Sequence, residues 1–307
     1  MLDKLIQQGL RIGLAAVGAA PTIHQVTAHF DWARSVVVAG LSYLPPERPV
    51  EDDAARGMVA RFARGADYHT VLTAKLEVLA DAVRSSRPDS KAVVCVDTCP
   101  LPERKLAVLG GIGWRGRNCS VFIDGHGSYV VLGEIVTDLE LPVSGPAQTD
   151  RCGDCDRCVR ACPTGAIAAP GVLDRSRCLS WITQAPGTIP PEHREKLGSR
   201  IYGCDACQEV CPHNAGLQPT TPEFAEPQFP GARPEIVPLI NISAREFRRT
   251  VRPSSIGWIG RTRVRRNAAI AAGNLRCREA ADELEIMISD DDPILRDCAG
   301  WALRRME

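Results

Sequence analysis

The sequence predicts an α/β domain, then a small cysteine-rich domain, then a short helical tail. Three observations predict it. β-Branched runs of strand length alternate with helical periodicity across residues 1–143. Seven cysteines crowd into two groups between 152 and 211. Past a proline-rich stretch, apolar residues recur at helical spacing from 267 to 305.

In the first part, a helix at 2–9 leads into an apolar stretch at 12–20. That stretch is short and follows Arg11, so it reads as part of a folded domain rather than an export leader. "SVVVAGLSY" (35–43) and "KAVVCVD" (91–97) read as buried strands. Between them Val71, Leu72, Leu76, Leu79, Ala80 and Val83 mark one face of a helix over 67–86. A helix at about 102–109 is stopped by Gly110 and Gly111. "SVFI" and "YVVLGEIV" suggest a hairpin around the glycine-rich "DGHGS".

Lysine plus arginine and aspartate plus glutamate both total 37, so no nucleic-acid partner is announced by whole-chain charge. Any basic surface has to be local. Apolar residues at 44% suffice for a core, and no run approaches the roughly 18 apolar residues of a membrane helix. The expectation is a cytoplasmic, monomeric protein.

The first cysteine group is Cys152, Cys155, Cys158 and Cys162, followed by Pro163; the second is Cys204, Cys207 and Cys211, followed by Pro212. Thiols two or three apart seldom close unstrained disulfides. Zinc ribbons use paired C-x2-C and need neither a third cysteine at that spacing nor the proline. The first group matches the bacterial ferredoxin run C-x2-C-x2-C-x3-C-P, whose fourth thiolate ligates the other cluster. Two 4Fe–4S clusters follow. Cys152, Cys155, Cys158 and Cys211 hold one; Cys162, Cys178, Cys204 and Cys207 hold the other. The insertion at 179–203 displaces Cys178 upstream and can cover a cluster. Cys95, Cys277 and Cys298 read as buried apolar residues.

The boundaries are therefore 1–143 for the α/β domain, 144–216 for a ferredoxin-like double-cluster domain, and 217–307 for a proline-rich connector, an arginine-rich segment and a HEAT-like helix pair. Residues 245–266 carry eight arginines against Glu246, a candidate phosphate-binding surface that competes with an ordinary solvated face.

Clusters move single electrons and make no bonds, so a chain this long needs a partner or a site elsewhere. Asp97 ends a strand, where open sheets bind ligands. Partly desolvated there, it would serve as a proton donor; the competing reading is a helix cap. Tyr68 and His69 precede a helix and are pocket candidates. "DGHGS" suggests the cobalamin lower-ligand motif Asp-x-His-x-x-Gly, but Tyr129 stands where its glycine belongs, and the motif is rejected.

Taken in order, "WARSVVVAGLSY", "ARGADYH", "VDTCPLPER", "GIGWRGRN", "GSYVVLGEIVTDLEL", "CGDCDRCVRACPTGAI", "RIYGCDACQEVCPHN" and "RRNAAIAAGN" resemble the epoxyqueuosine reductases along nearly the whole chain. The resemblance implies a cobalamin-binding first domain, two 4Fe–4S clusters and a tRNA anticodon stem-loop as substrate. It implies base-off cobalamin without a histidine lower ligand, and an unidentified electron donor. It makes Asp97 the proton donor. The cofactor cradle would be Tyr68, His69, Asp97, Cys119, Ser120, Val121, Ser128, Tyr129 and Leu132. Arg104, Arg261, Arg263, Arg265 and Arg266 would hold tRNA phosphates.

Two departures stand out. Ala60 occupies the position where some relatives carry a cysteine near the cobalt, and the helical tail is short. The alternatives are a corrinoid iron–sulfur reductase of a small molecule, such as a reductive dehalogenase, and a cofactor-free electron-transfer protein.

Overall fold

The computed structural model describes residues 1–46, 54–145, 149–225 and 231–307. Part of the expected linker at 144–150 and part of the connector at 217–238 lie outside these.

The first part runs α1 (Leu2–Arg11), β1 (Ala16–Pro21), α2 (His24–Thr27), β2 (Ser35–Ser42), β3 (Met58–Val59), α3 (Tyr68–Arg84), β4 (Ala92–Cys95), α4 (Glu103–Leu109), β5 (Trp114–Arg115), β6 (Val121–Phe122) and β7 (Val130–Thr137). The sheet order is β1-β2-β7-β4, and each neighbour is antiparallel. The expected strands and helices are present. The apolar stretch at 12–20 becomes the edge strand β1. Strand alternation divides the core. Val37, Ala39, Leu41 and Ile135 face α1 and α3, meeting Leu5, Leu72, Leu76 and Leu79. Val36, Val38 and Val136 face α4, meeting Leu106 and Ala107. A Cβ on Gly133 would come within 2.7 Å of Leu76 Cδ1, so glycine lets β7 lie close beneath α3.

The expected hairpin differs. Both edges of β7 are occupied, by β2 and β4, so β6 pairs with β5 instead.

Next come α5 (Arg157–Ala161), β8 (Ile167–Ala169), β9 (Val172–Leu173), α6 (Leu179–Gln184), α7 (Pro191–Leu197), β10 (Arg200–Tyr202) and α8 (Ala206–Glu209). The tail holds α9 (Val237–Ile240), α10 (Ala244–Thr250), α11 (Arg261–Leu275), α12 (Ala281–Ile288) and α13 (Pro293–Arg304). α11 and α12 both pack on α13, so three helices stand where two were expected. The boundary expected at 216 is not a break in packing. Leu179, Ile182, Ile189, Leu197 and Ile201 share one core with Ile240, Val264, Ala268 and Ala299. The insertion at 179–203 is thus bolted to the tail. β10 also pairs in parallel with β3, joining it to the first part. No helix among the described residues is long and apolar enough to cross a membrane.

Candidate active site and metal centres

The cysteines separate into the two sets expected from spacing. Cys152, Cys155, Cys158 and Cys211 line one small cavity of about 50 Å³. The short helix α5 carries Cys158 inward, and the turn after it sends Cys162 the other way. Cys162, Cys178, Cys204 and Cys207 line a second cavity of about 300 Å³. Backbone N–H groups already point at the sulfurs: Arg117 donates to Cys152 Sγ at 3.4 Å, and Ala166 to Cys162 Sγ at 3.1 Å. Among the described residues, no group of three or more His, Cys, Asp or Glu is arranged to hold a single metal ion. Thiols spread around a cavity suit a cube of several atoms.

The larger thiol cavity also touches Asp97, Tyr68, Glu103 and Arg104. Asp97 lies two residues past the end of β4 and sits in the left-handed region, at φ 52°. A Cys95–Cys99 disulfide closes the loop around it, with Cα atoms 5.6 Å apart. Cys95 was expected to be a free buried thiol; Cys277 and Cys298 are buried and free as expected. Asp97 does not cap α4, because the N-cap there is Pro102.

Asp67 caps α3 by accepting the His69 N–H at 3.1 Å, which places Tyr68 and His69 on the first turn. The Tyr68 hydroxyl donates to Asp97 Oδ2. His69 Nε2 lies 3.6 Å from the same oxygen, and its Nδ1 lies 2.7 Å from Asp67 Oδ1. That hydrogen bond, against the pull of burial, raises the His69 pKa. Burial raises the Tyr68 pKa, and neighbouring Asp97 raises it further. The Asp97 backbone N–H donates to Glu103 Oε1 at 3.1 Å. Burial, then the Asp97 charge, pushes the Glu103 carboxyl up to about 7. An acid, a phenol and an imidazole thus converge within reach of one cluster's thiols.

A further cavity of about 840 Å³ adjoins the first, sharing Phe62, Tyr68, Asp97, Arg104 and Cys178. Together they form a cleft roomy enough for a large organic cofactor. Its wall fits cobalamin in one respect visible here: the buried Asn118 Nδ2 has no hydrogen-bond partner, and an amide donor suits the amide carbonyls around a corrin.

A family model described as "4Fe-4S double cluster binding domain" matches residues 151–214, and one described as "Epoxyqueuosine reductase QueG, DUF1730" matches 24–98. The epoxyqueuosine reductase of Bacillus subtilis is 38% identical over 280 residues, covering 89% of this chain and 72% of that one. The Escherichia coli epoxyqueuosine reductase is 35% identical, covering 87% and 72%. The chain belongs to the epoxyqueuosine reductase family. A crystal structure of an epoxyqueuosine reductase with an epoxyqueuosine-modified tRNA-Tyr stem loop superposes with a TM-score of 0.91 at 33% identity, covering 99% of this chain and 89% of that one. A Streptococcus thermophilus epoxyqueuosine reductase superposes with a TM-score of 0.90 at 29% identity, covering 99% and 90%.

Within this member of the epoxyqueuosine reductases, the expected cofactor residues divide. Tyr68, Asp97, Ser120, Val121, Ser128 and Leu132 line the cleft, and His69 lines its outer part. Cys119 is buried behind the wall, at φ 66°. Tyr129 packs edge-on against Tyr43 with Arg61 over its ring. His126 lies outside both cavities, 3.5 Å from the Thr220 hydroxyl, in keeping with the rejected motif. Ala60 is buried, and a Cβ on Gly203 would meet it at 2.5 Å.

The arginines need a correction. Arg265 and Arg266 are 5% and 1% exposed and do not form a phosphate surface. Arg265 donates to the Ile240 carbonyl and pairs with Asp290; Arg266 donates to carbonyls at 182–187. Half-buried Arg261 and Arg263 donate to the Ile242 and Gln184 carbonyls. Arg104 does line the cleft. Exposed Arg175 and Arg252 line it too, with Trp181 and Trp258; Arg252 belongs to the arginine-rich segment expected to meet phosphate, and sequence reasoning missed the other three. Arg175 lies 3.6 Å above the Trp181 ring. An arginine-plus-tryptophan pair in "DRSRCLSW" was the available signal.

Proposed function

We propose that this chain reduces epoxyqueuosine at the wobble position of a tRNA anticodon to queuosine, with base-off cobalamin in the cleft. One observation carries the reading: a single cleft is walled by the thiols of one cluster set and by Asp97. Electrons and protons can therefore meet at one place.

Removing an epoxide oxygen as water takes two electrons and two protons. Cobalamin, when bound and reduced, supplies the low-potential electron chemistry. Asp97 stands at the cleft with Tyr68 and His69 fixing its carboxyl, and serves as the acid that protonates the oxygen as its bond to carbon breaks. Asn118, Ser120 and Ser128 line the inner wall as polar contacts for the corrin. The outer wall suits a single-stranded nucleotide: Trp181 and Trp258 offer faces for stacking, while Arg104, Arg175 and Arg252 offer charge for phosphate. The expected cytoplasmic location and monomeric state fit this substrate.

The test is anaerobic incubation with cobalamin, a chemical reductant and tRNA carrying epoxyqueuosine, followed by nucleoside analysis. Wild type is expected to yield queuosine. Asp97→Ala is expected to bind cobalamin normally and turn over about a hundredfold more slowly or worse. Absence of queuosine despite bound, reduced cobalamin refutes the reading.

A further inference from the structure

The two cluster loops reach past their thiols to the cofactor wall. We propose that Gln208 and Asn214 are positioning residues that tie cobalamin affinity to cluster occupancy, so that the wall is set only once both clusters are seated. This rests on the cobalamin reading of the cleft given above.

Ser128 stands in the turn between β6 and β7 and lines the cleft. Gln208 directly follows Cys207, a thiol of the set that walls the cleft. Asn214 lies three residues past Cys211, a thiol of the other set. Both side chains close on Ser128, and all three residues are buried. The backbone settles how the two amides are turned. Asn214 Oδ1 accepts the Ser128 N–H at 2.8 Å, and Gln208 Nε2 donates to the Ser128 carbonyl at 2.8 Å. Asn214 Nδ2, at 2.9 Å, and Gln208 Nε2, at 3.2 Å, then both donate to Ser128 Oγ. Gln208 Nε2 also donates to the Tyr43 hydroxyl, 3.0 Å away on the same wall. Asn214 Nδ2 donates to the Gln208 carbonyl at 2.8 Å, so the two loops brace each other.

A hydroxyl that accepts two N–H groups turns its own hydrogen elsewhere. Ser128 therefore presents a donor to the cleft, where an amide carbonyl at the corrin edge is a fitting acceptor. The loops do not hold this shape unaided. From Cys204 to Cys211 the chain makes the four-residue helix α8, and a helix that short is unstable alone. Thiolates gathered on one cube fix the loop, because metal ligation couples to folding. Cys152, Cys155, Cys158 and Cys211 lie outside the cleft, so any effect of their cluster on cobalamin has to travel through the protein.

Cobalamin binding, read from corrin absorbance without turnover, gives the test. Cys152→Ala combined with Cys155→Ala leaves the first cluster two thiols short. This variant is expected to bind cobalamin about tenfold more weakly than wild type, the worth of about one buried hydrogen bond. Gln208→Leu, with its iron content unchanged, is expected to weaken binding by a similar factor. In an Asn214→Ala background, already weak, the two cysteine changes are expected to add less than about twofold. Coupling is reciprocal. Saturating cobalamin is therefore expected to raise the chelator concentration needed to strip all of about eight irons from wild type, whereas a cofactor that merely covers the second cluster shields about four.

A cysteine variant that binds cobalamin within about twofold of wild type, or protection that stops at about four irons, overturns the coupling and leaves the function standing. Full additivity in the Asn214→Ala background shows that the clusters act by another route and overturns the role of the two amides. The iron measurement uses wild type alone, so it decides even where a variant fails to fold. A wild type that binds no cobalamin overturns the reading of the cleft, and this coupling with it.

Discussion

Arg266 tests whether the arginine-rich segment is scaffold or tRNA surface. Its guanidinium is buried beside the shared core, and burial draws its pKa down to about 10, so it remains charged at neutral pH. Carbonyls carry that charge: Ala185 at 2.9 Å, Ile182 and Thr183 at 3.2 Å, and Gly187. Arg266→Met keeps most of the apolar stem and removes every donor. Thr183 keeps a second donor, Asn267 Nδ2 at 2.9 Å. Three carbonyls lose this partner, at about 1–2 kcal/mol each, giving about 3–6 kcal/mol in all. For 307 residues, an unfolding entropy of about 2 cal/mol/K per residue converts this to a Tm lower by about 5–10 °C. These hydrogen bonds tie α6 and the loop after it, just past Cys178, to α11, so cluster loss on warming should accompany the lower Tm. The assays are thermal melting by circular dichroism, cluster absorbance, and the salt dependence of tRNA binding. The salt slope should not change. A Tm within about 1 °C of wild type, with a slope reduced by about one, would show that Arg266 contacts phosphate and that the scaffold argument is wrong.

Other outcomes follow from the same geometry. Replacing Arg175 and Arg252 together by alanine should lower the salt slope of tRNA binding by about 1.4, at roughly 0.7 per single-strand phosphate contact, with the Tm unchanged; an unchanged slope removes them from the interface. Reduction by a dithiol should add two alkylatable thiols, at Cys95 and Cys99, and speed hydrogen exchange in the loop that carries Asp97; equal exchange before and after means the bridge does not restrain it. The Asp67 contact raises the His69 pKa, so its stabilisation is full below about 6.5 and is lost as pH rises through the raised value. Melting temperatures from about pH 5.5 to about pH 8.5 should show this decline in wild type and not in Asp67→Asn.

Some of this was legible in the sequence and some was not, for physical reasons. α3 and α4 were legible because their apolar spacing and their terminators are local. The two thiol sets were legible because cubane ligation fixes short spacings. Pairing across β7 was not, since two residues of β6 carry no register information and the long partners of β7 lie far away in sequence. Arg265 and Arg266 misled because an arginine run looks the same whether water or distant carbonyls satisfy it. The Cys95–Cys99 bridge depends on Asp97 adopting a left-handed turn, which composition does not dictate.

The central claim is that electrons held on the two clusters reach the substrate through the cleft beside Asp97. The direct measurement is a single turnover. Protein without cobalamin is fully reduced, freed of external reductant, loaded with cobalamin in its Co(II) state, and mixed anaerobically with epoxyqueuosine tRNA. Each cluster stores one electron and the product takes two, so the account predicts about one queuosine per chain, and none from Cys207→Ala. No product from the pre-reduced wild type, with turnover restored by reductant left in solution, would show that the electrons bypass the clusters.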